Sequence, residues 1–196
     1  MKMKMKYQAM VLGCMLVSGS VMGQATIWQG GTGDWSVGGN WNNGVPTSGL
    51  ESHIYNNGGG EVATVTAPGA ESARLVMENG AGLTVAAGGD LTVGGQALLG
   101  NALTSVGSTI TVDGGTFNQG TVGPGEFYLG ANLGGASLVV TNSGTANVAH
   151  LAVGNTGSGL LSIDSGTVNV NGAWLISGYS AGGTGNIVVD GGALNT

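Results

Sequence analysis

The strongest constraint on this chain is an internal repeat in its second half. Four segments share an apolar strand, a turn built from Asx, Ser and Gly, and a second short strand that carries Asn at its end. These segments are residues 109–118, 138–147, 160–169 and 186–195. Apolar and polar residues alternate with period two in each copy, which predicts β-strands joined by tight turns. A single copy cannot bury its apolar side, so the copies are expected to stack.

The spacing of the copies indicates how they stack. The turn residues Asp113, Asn142, Asp164 and Asp190 lie 29, 22 and 26 residues apart, which is room for three short strands and three turns. One repeat is therefore predicted to be one coil of an all-β, right-handed parallel β-helix, or β-solenoid. An apolar residue followed by glycine precedes most copies, and a degenerate copy lies at 83–93. The apolar-glycine steps are Leu99-Gly100, Leu129-Gly130 and Val153-Gly154, with a less regular step at Ile176-Ser177-Gly178.

Strand alternation assigns side chains to the inside or the outside of the coil. The predicted inward residues are Ile110, Val112, Phe117, Ala146, Leu161, Ile163, Val168, Ile187, Val189 and Leu194. We name the outward residues of the second strand the Thr-x-Asn row. The row consists of Thr116, Asn118, Thr145, Asn147, Thr167 and Asn169, and Ala193 and Asn195 continue it. Equal positions on neighbouring coils form ladders, so the row either stabilises the stack or presents a flat surface to a polysaccharide or an ice lattice.

Charge excludes some partners. Charged residues make up 7% of the chain, and its basic residues are Lys2, Lys4, Lys6 and Arg74. Beyond residue 25 one cation therefore faces all ten carboxylates. Such a surface repels phosphate backbones and anionic lipids, so we expect neither nucleic-acid binding nor membrane association of the processed chain.

The N-terminus predicts export. The three lysines precede the apolar run 9–17, which is too short to span a bilayer, and Gly23-Gln24-Ala25 supplies small residues for a signal peptidase. Residues 1–25 are predicted to be a signal peptide cleaved after Ala25, with the bond after Gly23 as the alternative. A frayed amphipathic terminus and a lipid attached to Cys14 are the competing interpretations. Cys14 is the only cysteine, so its removal would leave no disulfide and no thiolate metal site.

Residues 26–80 differ from the repeats of 81–196. They contain Trp28, Trp35 and Trp41. Because the end of a solenoid exposes apolar surface and strand edges, we interpret this region as an N-terminal cap with the first irregular strands. The alternative is that the three rings form an aromatic contact surface for sugars.

These residues also carry a resemblance to known proteins. The opening Trp-x-Gly-Gly-x-Gly-x-Trp of 28–35, followed by Asn40-Trp41 and Gly44-Val45-Pro46, the segment 54–59 and the Gly-Thr-Val-Asn-Val coil at 166–170 resemble bacterial autotransporter-associated β-strand repeat proteins and extracellular proteins with a PEP-CTERM sorting tail. The resemblance implies a right-handed β-helix in an extracellular or cell-surface protein. Neither a translocator nor a Pro-Glu-Pro tail is recognisable, so a fragment or a short member of the family is expected.

Candidate chemistry is sparse. Asp113, Asp164 and Asp190 share one turn position, with Asn142 as the fourth member, and Asp164 and Asp190 should lie on adjacent coils. Calcium could bridge them, or each could cap its own turn through an Asx hydrogen bond. The other carboxylates are scattered, and His53 and His150 stand alone. We therefore assign no catalytic, cofactor or metal residues.

Three hypotheses for the function follow. The first is an exported structural or surface-interaction module without catalytic activity. The second is an adhesin-like surface that binds an extracellular glycan, and the third is a polysaccharide lyase or hydrolase built on the same solenoid. Self-association through an open end of the solenoid is also expected, because unpaired strand edges template further pairing.

Overall fold

The computed structural model describes most of the chain beyond the N-terminal segment. The described residues are 24–56, 58, 60–102, 107–120 and 125–196. The predicted signal peptide, with Cys14 and the three lysines, lies outside them except for Gln24 and Ala25. Ala25 begins the first strand, so cleavage at the alternative bond after Gly23 would leave that strand whole.

Three parallel sheets make up the three sides of the stack. Sheet 1 consists of β1 (Ala25–Ile27), β3 (Glu51–Tyr55), β6 (Leu75–Glu78), β9 (Ala97–Leu99), β12 (Glu126–Leu129), β15 (His150–Val153) and β18 (Leu175–Ser177). Sheet 2 consists of β2 (Thr32–Asp34), β4 (Val62–Val65), β7 (Gly82–Ala86), β10 (Ser108–Asp113), β13 (Gly135–Thr141), β16 (Ser158–Asp164) and β19 (Thr184–Asp190). Sheet 3 consists of β5 (Ala70–Ser72), β8 (Asp90–Val93), β11 (Thr116–Gln119), β14 (Thr145–Val148), β17 (Thr167–Val170) and β20 (Ala193–Asn195).

From β3 onward the chain visits sheets 1, 2 and 3 in turn, and each strand pairs in parallel with its counterpart in the next coil. The result is a β-solenoid of about six turns, which confirms the predicted fold class. The strands β3 to β6 precede residue 81 and already pair within these sheets. The only helical segment of the described residues is a 3₁₀ turn at Gly38–Asn40, and no helix there could cross a membrane.

The core runs along the axis of the stack. Most predicted inward side chains are fully buried: Ile110, Val112, Phe117, Ala146, Leu161, Ile163 and Val168. Ile187 and Leu194 are partly buried against this core. Val189 pairs with the buried Ile163 but is 47% exposed, because its strand β19 has a neighbouring strand on one side only. Strand alternation therefore predicted correctly which side chains point inward. How completely such a side chain is buried depends on whether its coil has a neighbouring coil on both sides.

One turn assignment from the sequence is wrong. Asp113 pairs with Thr141, and Asp164 pairs with Asp190, so Asn142 is not in register with these aspartates. The turn after β13 contains one extra residue, and both Asn142 and Ser143 adopt positive φ there. The insertion moves Asn142 one position along the chain while the strands on either side keep their pairing.

The N-terminal segment packs its tryptophans together. Trp28, Trp35 and Trp41 are 1%, 2% and 4% exposed. Trp41 makes edge contacts with both others, at ring-centroid distances of 5.0 Å to Trp28 and 4.8 Å to Trp35. The Trp41 indole N–H also donates to the Trp35 carbonyl at 2.8 Å. Since β1 and β2 are the first strands of sheets 1 and 2, the cluster lies at the N-terminal end of the described stack.

Asp34, at the end of β2, ties this segment to the next coil. Its Oδ1 accepts hydrogen bonds from the Ser36 hydroxyl at 2.6 Å and the Ser36 N–H at 2.8 Å, and its Oδ2 accepts one from the Thr66 hydroxyl at 2.6 Å. The Ser36 hydroxyl, then the Thr66 hydroxyl and the Ser36 N–H, lower the pKa of Asp34 below its ordinary value of 3.8. A lowered folded-state pKa gives stability that is present above the unfolded pKa and is lost as the pH falls through the folded one.

We therefore expect Asp34→Asn to be less stable than the parent at neutral pH. In acid this difference in stability should disappear. Melting temperatures of parent and variant should converge as the pH falls from about 5 to about 2. Asp164→Asn, at an exposed turn, is the control, and its difference from the parent should change less. A difference for Asp34→Asn that stays constant over this range would contradict the assignment.

Candidate functional site

The Thr-x-Asn row forms on the outer face of sheet 3 with the predicted register. Thr116, Thr145, Thr167 and Ala193 pair in one line along the stack. Asn118, Asn147, Asn169 and Asn195 pair in a second line two residues further along each strand. The row is regular because each copy keeps the same two-residue spacing within a single strand.

The asparagines of the row bond to one another. Each Nδ2 donates to the Oδ1 of the preceding coil, at 2.9 Å from Asn147 to Asn118, 2.8 Å from Asn169 to Asn147, and 2.7 Å from Asn195 to Asn169. Asn118 in turn donates to the Asp90 carboxylate at 3.1 Å. We call this chain of bonds the amide ladder. Each amide has two N–H groups and an oxygen with two acceptor sites, so every rung keeps hydrogen-bonding capacity beyond the bonds of the ladder.

The turn carboxylates do not behave as the Asx hypothesis predicted. Among the described hydrogen bonds, none joins the side chain of Asp113, Asp164 or Asp190 to its own turn. Asp113 instead accepts a hydrogen bond from the Asn142 side chain of the next coil. Asp164 and Asp190 lie opposite each other on adjacent coils, as predicted. The described residues contain no group of three or more His, Cys, Asp or Glu side chains arranged to hold a metal ion, and calcium stays a prediction.

The burial of the tryptophan cluster corrects one proposed site. A sugar that stacks on an indole needs an accessible ring face, and Trp28, Trp35 and Trp41 offer almost none. Their rings are covered because they pack edge to face against each other. The aromatic contact surface predicted from these three residues is therefore wrong.

The outer face of sheet 1 collects aromatic side chains that the repeat pattern did not single out. The rings of His150 and Trp174 stack at 5.0 Å, and Trp174 stacks on Tyr179 at 5.7 Å. Tyr128 lies 6.3 Å from Tyr179. The Nδ1 atom of His150 accepts the Ala173 N–H at 3.0 Å, which fixes the imidazole against the sheet. Burial, followed by the nearby Glu126 carboxylate, raises the pKa of Tyr128 above its ordinary value.

A polar cluster occupies the N-terminal part of the same face. Glu51 Oε2 lies 3.5 Å from the Arg74 guanidinium and 3.4 Å from His53 Nε2, and His53 Nδ1 bonds the Tyr55 hydroxyl. Burial, followed by the Glu78 carboxylate, raises the pKa of Tyr55. A raised pKa keeps the phenol protonated, which is the opposite of what an activated nucleophile needs. The cluster therefore resembles a surface network of mutually paired side chains.

A groove follows the corner at which sheet 3 strands turn into sheet 1 strands. One cavity of about 250 Å³ is lined by residues from three coils, including Asn118, Gln119, Asn147, Ala149, Asn171 and Gly172. A second cavity of about 450 Å³ shares Gly172 with the first and is lined by Val170, Ala173, Trp174, Leu175 and Thr196. We call these two cavities together the corner groove. Asn118 and Asn147 of the amide ladder line its first cavity, and Trp174 lines its second.

Gln119 is the anomaly of this groove. It is 3% exposed, and it occupies an inward position at which the neighbouring coils have Val93 and Val148. Its Nε2 donates to the Gly95 carbonyl at 2.7 Å, whereas its Oε1 is buried without a hydrogen-bond partner. An unpaired buried acceptor costs about 1–3 kcal/mol, so a glutamine at this position calls for an explanation.

Sequence reasoning missed Gln119 and the His150–Trp174 stack, although signals for both were present. The second strands of three coils read Thr-Phe-Asn-Gln, Thr-Ala-Asn-Val and Thr-Val-Asn-Val, so Gln119 replaces an aliphatic residue. His150 directly precedes Leu151, and Trp174 directly precedes Leu175. These two leucines pair with each other on adjacent coils. Aligning the coils on sheet 1 as well as on the turn would have placed the two rings side by side.

Fold and surface together define the chain as a parallel β-solenoid with an amide ladder and a corner groove. Comparisons with protein-family models, with curated proteins and with solved structures found no match.

Proposed function

We propose that this chain is an exported structural or surface-interaction module, a rigid β-solenoid spacer without catalytic activity. The observation that carries the proposal is the amide ladder, in which outward polar side chains bond along the axis from coil to coil. A surface devoted to catalysis would need converging acid, base or nucleophile side chains. The paired strands, the continuous apolar core and the ladder all strengthen contacts between neighbouring coils, which suits an element that keeps its shape along its length.

The ladder is tested by removing one rung. Asn147→Ala removes two side-chain hydrogen bonds, one to Asn118 and one from Asn169, and we expect it to lower the free energy of unfolding by about 1–2 kcal/mol. Thr145→Val, an outward change two residues earlier in the same strand, is the control. Urea titrations of the full chain followed by circular dichroism measure both. Equal free energies of unfolding for the two variants would show that the amide ladder does not stabilise the fold.

Export is part of the proposal and rests on the sequence of residues 1–25. The basic start, the apolar run and the small residues at 23–25 support it, and so does the resemblance to autotransporter-associated and PEP-CTERM-type repeat proteins. A phosphatase that is active only outside the bacterial cytoplasm, fused after residue 196, should be active. Replacing the apolar run 9–17 by polar residues should abolish that activity. Equal phosphatase activity of the two fusions would argue against a signal peptide.

The absence of catalysis is tested on substrates that suit a solenoid enzyme. We expect the full chain to leave a panel of acidic and neutral polysaccharides uncleaved, with and without calcium. Reducing-end and unsaturated-product assays detect hydrolase and lyase activity respectively. Turnover that depends on one of the described carboxylates would replace the structural proposal with the enzyme hypothesis.

Self-association is a second candidate role, favoured by the strand edges of the last described coil. The strands β18, β19 and β20 are each paired on one side only, and Val188 and Val189 are 41% and 47% exposed. Such edges accept further parallel strands. Light scattering coupled to size exclusion should show oligomers that grow with concentration. A monomer at all concentrations would exclude this role.

A further inference from the structure

We propose that the corner groove binds a neutral oligosaccharide whose chain runs parallel to the solenoid axis. Gln119 and the amide ladder would supply the hydrogen bonds, and Trp174 would supply apolar ring surface. Glycan binding does not depend on the structural role of the stack, because a rigid spacer keeps its shape whether or not it also binds a glycan.

The first step is the chemistry of Gln119. Its side chain lines the groove, is 97% buried, and has one oxygen without a partner. A ligand hydroxyl or amide N–H would satisfy this acceptor once the side chain turns its oxygen toward the cavity, because the oxygen is buried as it stands. Because the equivalent residues on the adjacent coils are Val93 and Val148, packing alone gives no reason for a polar side chain here.

The second step is the wall of the groove. Asn118 and Asn147 line it, and their amides keep donor and acceptor capacity after forming the ladder. Asn171 adds a third, exposed amide one coil further along. Amides that repeat at the coil spacing of about 4.8 Å suit an extended ligand that presents hydroxyl groups at regular intervals. Sugar hydroxyls both donate and accept, as amides do.

The third step is charge. No Lys or Arg lines either cavity, and Arg74 is the only such residue beyond residue 6. Glu126 lies beside His150 on the neighbouring sheet 1 face. A polyanion would therefore meet carboxylates without compensating cations, which costs affinity. An uncharged glycan avoids that repulsion.

The fourth step distinguishes a sugar from a peptide. An extended peptide binds most readily by adding its backbone to a free strand edge, whereas Asn118, Gln119 and Asn147 of the first cavity belong to β11 and β14, which are paired on both sides. Trp174 lines the second cavity, and its ring is held by stacking on His150 and Tyr179. Trp174 is only half-buried despite these two contacts, so part of its indole stays accessible to the C–H groups of a pyranose. These features favour a glycan.

The test is a titration of the full chain with linear hexasaccharides. The probes are hexamers of β1,4-glucose, β1,4-N-acetylglucosamine and α1,4-glucose, with hexagalacturonate and an uncharged extended peptide as comparisons, measured by isothermal titration calorimetry. We expect at least one neutral hexamer to bind with a dissociation constant of about 1 mM or tighter. Gln119→Val should weaken that binding at least about fivefold. The variant should melt at or above the parent temperature, because the unpaired acceptor is gone.

Thr116→Val is the matched control, since Thr116 lies in the same strand and faces outward without lining either cavity. It should bind the hexamer as the parent does. The proposal is overturned if no neutral hexamer binds, if only the acidic hexamer or the peptide binds, or if Gln119→Val and Thr116→Val bind equally well.

Discussion

Replacing Phe117 with alanine is expected to lower the free energy of unfolding by about 3–5 kcal/mol. Phe117 is fully buried, and its ring lies 5.6 Å from that of Phe127, the only other phenylalanine of the chain. In the next coil the same inward position holds Ala146. Because that neighbour is small, the remaining side chains cannot fill the space that the ring would leave. The truncation therefore loses burial and also leaves a cavity.

The measurement is urea unfolding of the full chain followed by circular dichroism. Thr116→Val is the control, because it changes the preceding residue of the same strand on the outside of the coil. We expect the control to remain within about 0.5 kcal/mol of the parent. If Phe117→Ala and the control had the same unfolding midpoint, Phe117 could not lie in a packed interior.

The second large effect is expected at the corner where sheet 1 turns into sheet 2. Gly154→Ala should lower the free energy of unfolding by more than about 3 kcal/mol, because it combines backbone strain with a steric clash. Gly154 has φ +78°, and a Cβ there would lie 2.2 Å from the Thr184 carbonyl oxygen of the next coil. This clash can be relieved only if the neighbouring backbone moves, and that movement disturbs the strand pairing between the two coils.

Gly88→Ala separates the two contributions. Gly88 has a similar φ of +83°, but its nearest neighbour would be 3.8 Å from the new Cβ. We expect this control to lose only the cost of a left-handed alanine, about 1–2 kcal/mol. Equal losses at the two positions would mean that the coils are not in contact at Gly154. Gly100 and Gly130 also follow sheet 1 strands with positive φ, and a Cβ there would lie 2.5 Å and 2.6 Å from a carbonyl oxygen of the next coil, so the same contrast can be repeated along the stack.

The sequence predicted the fold because the repeat carries its information locally. Period-two alternation within a strand points Ile110 and Leu161 into the coil, and it does so independently of the conformation of the turns. The fixed spacing within one strand likewise puts Asn118, Asn147 and Asn169 in one line. Stacking then follows, since each coil leaves an apolar side that only another coil covers.

The errors arose where local pattern does not determine the answer. Asn142 was misaligned because a turn can gain one residue without disturbing the strands beside it. The tryptophan cluster was interpreted as a cap with an aromatic contact surface as the alternative, because the mutual burial of the rings depends on how a glycine-rich segment folds back on itself. Gln119 was overlooked because its importance lies in a missing partner, which only the packed structure shows. The corner groove likewise combines residues from separate coils.

The most direct test of the solenoid is the distance between outward positions of sheet 2. Thr64, Thr84, Thr111, Val139, Ser162 and Val188 form one line in register along the stack. With Cys14 replaced by serine, spin labels would be placed on the full chain at Thr64 with Ser162 and at Thr64 with Val188. Pulsed dipolar spectroscopy should give narrow distributions centred near backbone separations of about 19 Å and about 24 Å, an increase of about 4.8 Å for one coil. Broad distributions, or a Val188 distance no longer than the Ser162 distance, would contradict the stacked coils.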